Sequence, residues 1–177
     1  VNAIHGLGEP VWMVDALLRH DTFSEEGQKA FPGIRYLVPP NFPKVAGVTT
    51  ELLLPPPPQW AEEIDVVAVD GAPEFGEVVM LHRPSRTLIV CDLLLNFSGE
   101  QGFLKKSLLH LATVNGNYSP GFSKPFRAAI KDRSAFVASI QKILSMDFDR
   151  IVVGHGHPIE GGGKEKLRVA LRAAGGI

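Results

Sequence analysis

The chain has one cysteine, Cys91, among its 177 residues. A single thiol excludes an intrachain disulfide and any zinc cluster built from several thiolates. Cys91 ends the apolar run Thr87-Leu-Ile-Val-Cys91, the setting of a small core residue rather than a nucleophile. Excess charge is also missing: 18 Lys and Arg against 19 Asp and Glu leave a net charge of −1. That balance gives no sign of a nucleic-acid surface or a polybasic membrane anchor. No apolar run approaches the roughly 20 residues that a membrane span requires. There is no signal-peptide pattern and no initiator Met; the chain starts at Val1, which leaves room for an upstream segment. Together these absences point to a soluble, intracellular protein, with cytoplasm and organelle interior not distinguished.

What remains is ordinary globular material. The hydrophobic content of 45% and charged content of 21% suit one domain, expected to span 1–177. A chain of this size buries roughly 70% of its unfolded surface and needs no staples.

Val11-Trp-Met-Val14 reads as a short buried strand. Thr22 and Glu25 have capping-box spacing, which predicts a helix from there to Ala30, ended by Phe31-Pro32-Gly33. Ile34 to Val38 is the next strand, stopped by Pro39-Pro40. Strand, helix and strand in this order form a parallel βαβ unit. Pro55 to Pro58 is a stiff connector, with Trp60 expected to pin it to the core. Ile64 to Val69 is a strand. Glu77 to His82 and Thr87 to Cys91 form a hairpin across Arg83-Pro-Ser-Arg86.

Helices are expected over Gly102 to Thr113, then after Ser134 with Val137, Ile140 and Leu144 as its apolar face, and from Lys164 to Ala174. A polar loop, Asn115 to Lys124, separates the first two. Arg150 to Val153 is a strand leading into Gly154-His-Gly-His-Pro158. The fold class is α/β, a mixed sheet covered by helices.

Two places carry potential chemistry, because sites in such folds collect where strands end. Asp92 directly follows a strand, where it can bind a cation or orient a base, although an Asp there is more often the cap of the following turn. His155-Gly156-His157 puts two imidazoles in a turn that glycine lets approach a ligand. His20 sits a few residues past the first strand. His5, His82 and His110 read as exposed or structural. Gly161-Gly-Gly-Lys164 lacks the Ser or Thr of a phosphate loop, having Glu165 there.

The order of these parts resembles the metallo-β-lactamase superfamily over nearly the whole chain. Gly76 to Asp92 looks like its hairpin leading to the metal-bridging aspartate. Arg150-Ile-Val-Val-Gly-His155-Gly resembles its last motif, a strand ending in a histidine ligand. Leu7-Gly8, Pro57-Pro-Gln-Trp-Ala-Glu-Glu-Ile-Asp65 and His82 to Leu93 resemble an uncharacterised branch, a domain of unknown function. The resemblance implies an αββα arrangement whose opening strands are missing here, leaving a sheet edge to be covered.

It also implies a reduced site. The superfamily's first metal motif, His-x-His-x-Asp-His, falls on Asp15 to His20, and only His20 keeps its residue type. Leu17 cannot coordinate, and Arg19 brings a positive charge. No histidine stands near Gly71-Ala72-Pro73, where another is expected. The metal candidates are therefore His20, Asp92 and His155, enough for one ion and not for the usual pair. Arg19 is expected near the cleft, paired with Asp92.

Because Leu17 and Arg19 oppose metal chemistry, the expected function is a non-catalytic or accessory domain in a protein assembly, with no cofactor. The alternative is a hydrolase of an ester or thioester holding one zinc or iron ion, with His157 as the candidate general base. Partners are expected to be proteins, not nucleic acid or membrane.

Overall fold

The computed structural model describes residues 2–97, 113 and 120–173. Short helix α1 (Asn2–His5) precedes β1 (Trp12–Val14), α2 (Ser24–Ala30), β2 (Arg35–Val38) and β3 (Glu51–Leu52). Then come β4 (Ile64–Ala68), β5 (Val78–His82), β6 (Thr87–Ile89), β7 (Leu94–Asn96) and β8 (Gly121–Phe122). Helices α3 (Lys124–Ala128) and α4 (Arg133–Ser145) follow, then β9 (Arg150–Val152), β10 (His155–Gly156) and α5 (Gly163–Ala173).

The strands form three sheets, ordered β1-β2-β3, β4-β5-β6-β9 and β10-β7-β8. β1 and β2 pair in parallel, as the βαβ reading requires. β5 and β6 form the expected antiparallel hairpin, and β9 adds to β6 in parallel with Ile89 opposite Val152.

Side-chain alternation along β5 builds the layers. Val79 and Leu81 face a core that includes Phe136, Ile140 and Ile143 of α4 and Leu167 and Leu171 of α5. Val78 and Met80 face a second core with Leu37 of β2, Leu53 and Trp60. On the outer side of the first sheet, α2 lies so close that a Cβ on Gly27 would stand 2.9 Å from the Met13 sulfur. Helix, sheet, sheet, helix is the resulting α/β order, with β1-β2-β3 and β4-β5-β6-β9 facing each other across the second core and β10-β7-β8 as a small third sheet. Trp60 is buried and plugs the second core, its ring edge-on to Trp12 at 5.7 Å.

Several local expectations are corrected. Thr22 does not cap α2: a 3₁₀ turn over Asp21–Phe23 leads in, and the N-cap position falls to Phe23 without a side-chain hydrogen bond. Asp132, not Ser134, caps α4 by accepting from the Ala135 N–H at 2.9 Å. The buried face of α4 is Phe136, Ser139, Ile140 and Ile143, while Val137 and Leu144 are only partly buried. The stretch read as a polar loop contains β8, and Ser123 caps α3 by accepting from the Phe126 N–H. The helix read over Gly102 to Thr113, with His110, lies outside the described residues except for Thr113. That residue bridges to Ser123. Among the described residues no helix is long and apolar enough to cross a membrane.

Candidate metal centre

Parallel pairing of β6 and β9 decides where Asp92 and His155 go. Ile89 lies opposite Val152, and each candidate sits three residues further along its own chain, so both emerge from the same end of the sheet. Their lead-in segments stay joined: the Val90 N–H donates to the Val152 carbonyl at 2.9 Å, and Gly154 N–H donates to Cys91 at 3.3 Å. A Cβ on Gly154 would stand 3.2 Å from the Cys91 backbone, so a larger residue would force these two segments apart.

His20 reaches the same end from another sheet. Past β1, the chain bonds to the start of β5, with Leu18 N–H donating to the Phe75 carbonyl and Val78 N–H to the Ala16 carbonyl. Leu17, which the resemblance sets at a ligand position, is fully buried in the main core and offers no ligand atom. His20 follows at the rim.

His20, Asp92 and His155 therefore converge, with one potential ligand atom of each within 4.8 Å of the others. The two imidazole rings stand edge-to-face at 5.7 Å. Asp92 Oδ1 lies 3.5 Å from His20 Nε2 and 3.2 Å from His155 Nε2. Yet this oxygen is buried and accepts no hydrogen bond. Neither ring contact has hydrogen-bond geometry. A buried carboxylate oxygen without a donor is costly. Two imidazole nitrogens and a carboxylate oxygen turned toward one another suit a single zinc or iron ion.

A residue not singled out in the sequence holds this arrangement. Glu77 is buried, and its carboxyl accepts from three consecutive backbone N–H groups: Cys91 at 2.8 Å, Asp92 at 2.9 Å and Leu93 at 2.9 Å. Burial pushes its pKa up to about 8, and the Asp92 charge adds to this, while the three donors pull the other way. The signal was present in the sequence. Period-two alternation puts Glu77 on the same inward face as Val79 and Leu81, and a carboxyl there must have partners. Burial likewise raises the Cys91 thiol pKa, which makes it a poor nucleophile.

The remaining candidates separate. His157 is exposed and outside the cluster; its backbone is clamped to Asn96, which accepts from the His157 N–H at 2.7 Å and donates its side-chain amide to the His157 carbonyl at 2.8 Å. His82 bonds Ser85 at 2.7 Å at the hairpin turn. His5 faces Glu9 at 3.5 Å, far along the chain from the centre.

Arg19 does lie at the cleft, but it does not pair with Asp92. Its guanidinium stands 5.1 Å above the Phe75 ring. Asp15, in the lining of a cleft that Arg19 also lines, accepts hydrogen bonds from Tyr36 and Ser24, and burial raises its pKa.

Helix-flanked paired sheets are the arrangement of the metallo-β-lactamase fold. Comparison with solved structures agrees. The chain is similar to the DIM-1 metallo-β-lactamase, at 13% identity and a TM-score of 0.56, over 98% of this chain and 76% of that one. It is similar to TMB-1 at 11% identity and a TM-score of 0.56, over 98% of this chain and 73% of that one. The DIM-1 enzyme exposed to ceftazidime gives 13% identity, a TM-score of 0.54, and coverage of 98% and 74%. No family model matches the sequence, and no curated protein matches it.

Proposed function

We propose that this chain is a single-metal hydrolase in which His20, Asp92 and His155 hold one zinc or iron ion. The observation that supports this reading best is the buried Asp92 Oδ1, which has no hydrogen bond and is faced by two imidazole nitrogens. An ion held there supplies Lewis acidity and activates water for attack on an ester or thioester. The chain's own part is positional. Glu77 fixes the Asp92 loop through three backbone bonds, and Asn96 fixes the turn that carries His155. The His155 side chain is 50% exposed against 19% for Asp92, so substrate approaches from the His155 side.

The likeness to metallo-β-lactamases supports a hydrolytic reaction and leaves the substrate open. The test is hydrolysis of chromogenic ester and thioester substrates with zinc or iron(II) added. Metal-dependent turnover that disappears in Asp92→Asn is expected; turnover indifferent to metal and to that substitution would defeat the proposal.

A second reading is an accessory domain that works in a protein assembly. β1 is an end strand of its sheet, the Trp12 indole N–H is buried without a partner, and Val11 and Leu7 are exposed beside it. Light scattering separates the two: a monomer at all concentrations removes this reading.

A further inference from the structure

Among the described arginines without an ion pair, which include Arg127, Arg133 and Arg150, Arg19 is the one seated on an aromatic ring. Arg35 pairs with Glu51, Arg83 with Asp65, Arg86 with Asp147 and Arg168 with Glu165. Among the described residues Arg19 has no carboxylate in ion-pair range; its guanidinium lies on the Phe75 ring instead. The nearby acid, Glu74, is taken by Lys131 at 2.6 Å.

This cation faces a cleft of about 360 Å³ lined by Phe75, Leu95, Phe97 and Pro125, with Asp92 and His155 at one side. Arg19 also lines the adjoining cleft of about 390 Å³, together with His20 and His155. So Arg19, with His155, stands on the rim shared by both clefts. A guanidinium stacked on an aromatic face is held in place while its N–H edge stays available for a planar oxyanion. The cleft beyond it is apolar, which suits a hydrocarbon body.

We infer that Arg19 is an anion-binding residue that selects substrates carrying a carboxylate or phosphate on an apolar body, with that body along Phe75, Leu95 and Phe97. This rests on the single-metal reading for the position of the reacting bond, and the oxyanion site itself is separable from it. An uncharged substrate of the same shape would lose the contact to Arg19 and leave the guanidinium facing an apolar chain.

The test titrates octanoate and 1-octanol into the protein, as purified and again after chelator treatment, following binding by calorimetry and by NMR shifts at Phe75 and Leu95. Wild type is expected to favour octanoate by at least about tenfold, in line with a charge-assisted pair. Arg19→Gln should abolish the preference while keeping the octanol affinity, and Arg19→Lys should keep part of it. Equal binding of the two ligands, no binding of either, or a preference that survives in Arg19→Gln would overturn the inference. Metal uptake by the same samples is read separately: protein that takes up no metal but still prefers octanoate defeats the single-metal reading and leaves the anion site standing. Circular dichroism checks that both variants fold.

Discussion

Asp92 and Glu77 form one unit, in which a buried acid shapes the loop that presents another acid. Three N–H groups in succession point at Glu77, so the backbone from Cys91 to Leu93 wraps around a single carboxyl. Outer partners of this kind tune metal sites, and Glu77→Ala is expected to weaken zinc binding by roughly 10–100-fold, measured by chelator competition. The same residue gives a pH signature. Its pKa rises from 4.5 to about 8 on folding, so the folded state holds this proton to higher pH than the unfolded chain does. The stabilisation is complete below 4.5 and is lost as pH rises through about 8. Urea melts of metal-stripped protein should therefore show stability falling between pH 5 and 8, by on the order of a few kcal/mol. Glu77→Gln should flatten that slope; a variant with the wild-type slope would refute the assignment.

At the scale of elements, the turn after β9 has the tightest demands. Gly156 sits at φ +112°, and a Cβ there would stand 2.0 Å from the Asn96 carbonyl oxygen. Gly156→Ala should cost about 1–3 kcal/mol, lower the melting temperature and loosen β10 from β7. An unchanged melting temperature would show that the turn tolerates rearrangement. The cap of α4 is a milder case: Asp132→Ala should cost about 0.5–2 kcal/mol, whereas Ser134→Ala should be nearly silent.

The elements also show what was legible in the residues. The βαβ unit, the hairpin and β9 were readable because runs such as Val78 to His82 have strand length and clear punctuation at Arg83-Pro84. β7, β8 and β10 were not, because two or three residues such as Gly121–Phe122 carry no periodicity and exist only through their partners. The caps failed for different reasons: α2 is entered through a 3₁₀ turn that leaves it no side-chain cap, and at α4 Asp132 and Ser134 both offer oxygens, between which only the incoming chain direction selects. His20, Asp92 and His155 could be named from strand ends and from the resemblance. Alternation marks Glu77 as an inward carboxyl, but its three partners and the seat of Arg19 needed the packing of β5 against the loops.

For the whole molecule, two cores share the sheet β4-β5-β6-β9 and fix how its end is presented. Phe75, Phe122, Phe126 and Phe136 interlock in the main core, with ring centroids 4.7 Å to 6.1 Å apart between neighbours. Phe136 is fully buried, and Phe136→Ala should cost about 3–5 kcal/mol in chemical denaturation. That core also seats Phe75 beneath Arg19, so its packing and the anion-binding rim are linked.

In the single-metal proposal, one ion is held by His20, Asp92 and His155 at one end of the facing sheets. Elemental analysis and native mass spectrometry of the chain after dialysis against zinc or iron(II) test it most directly. One metal per chain is expected, falling to none in a His20→Ala, His155→Ala double variant that still folds. No bound metal in the wild type, two metals per chain, or one metal retained by the double variant would contradict it.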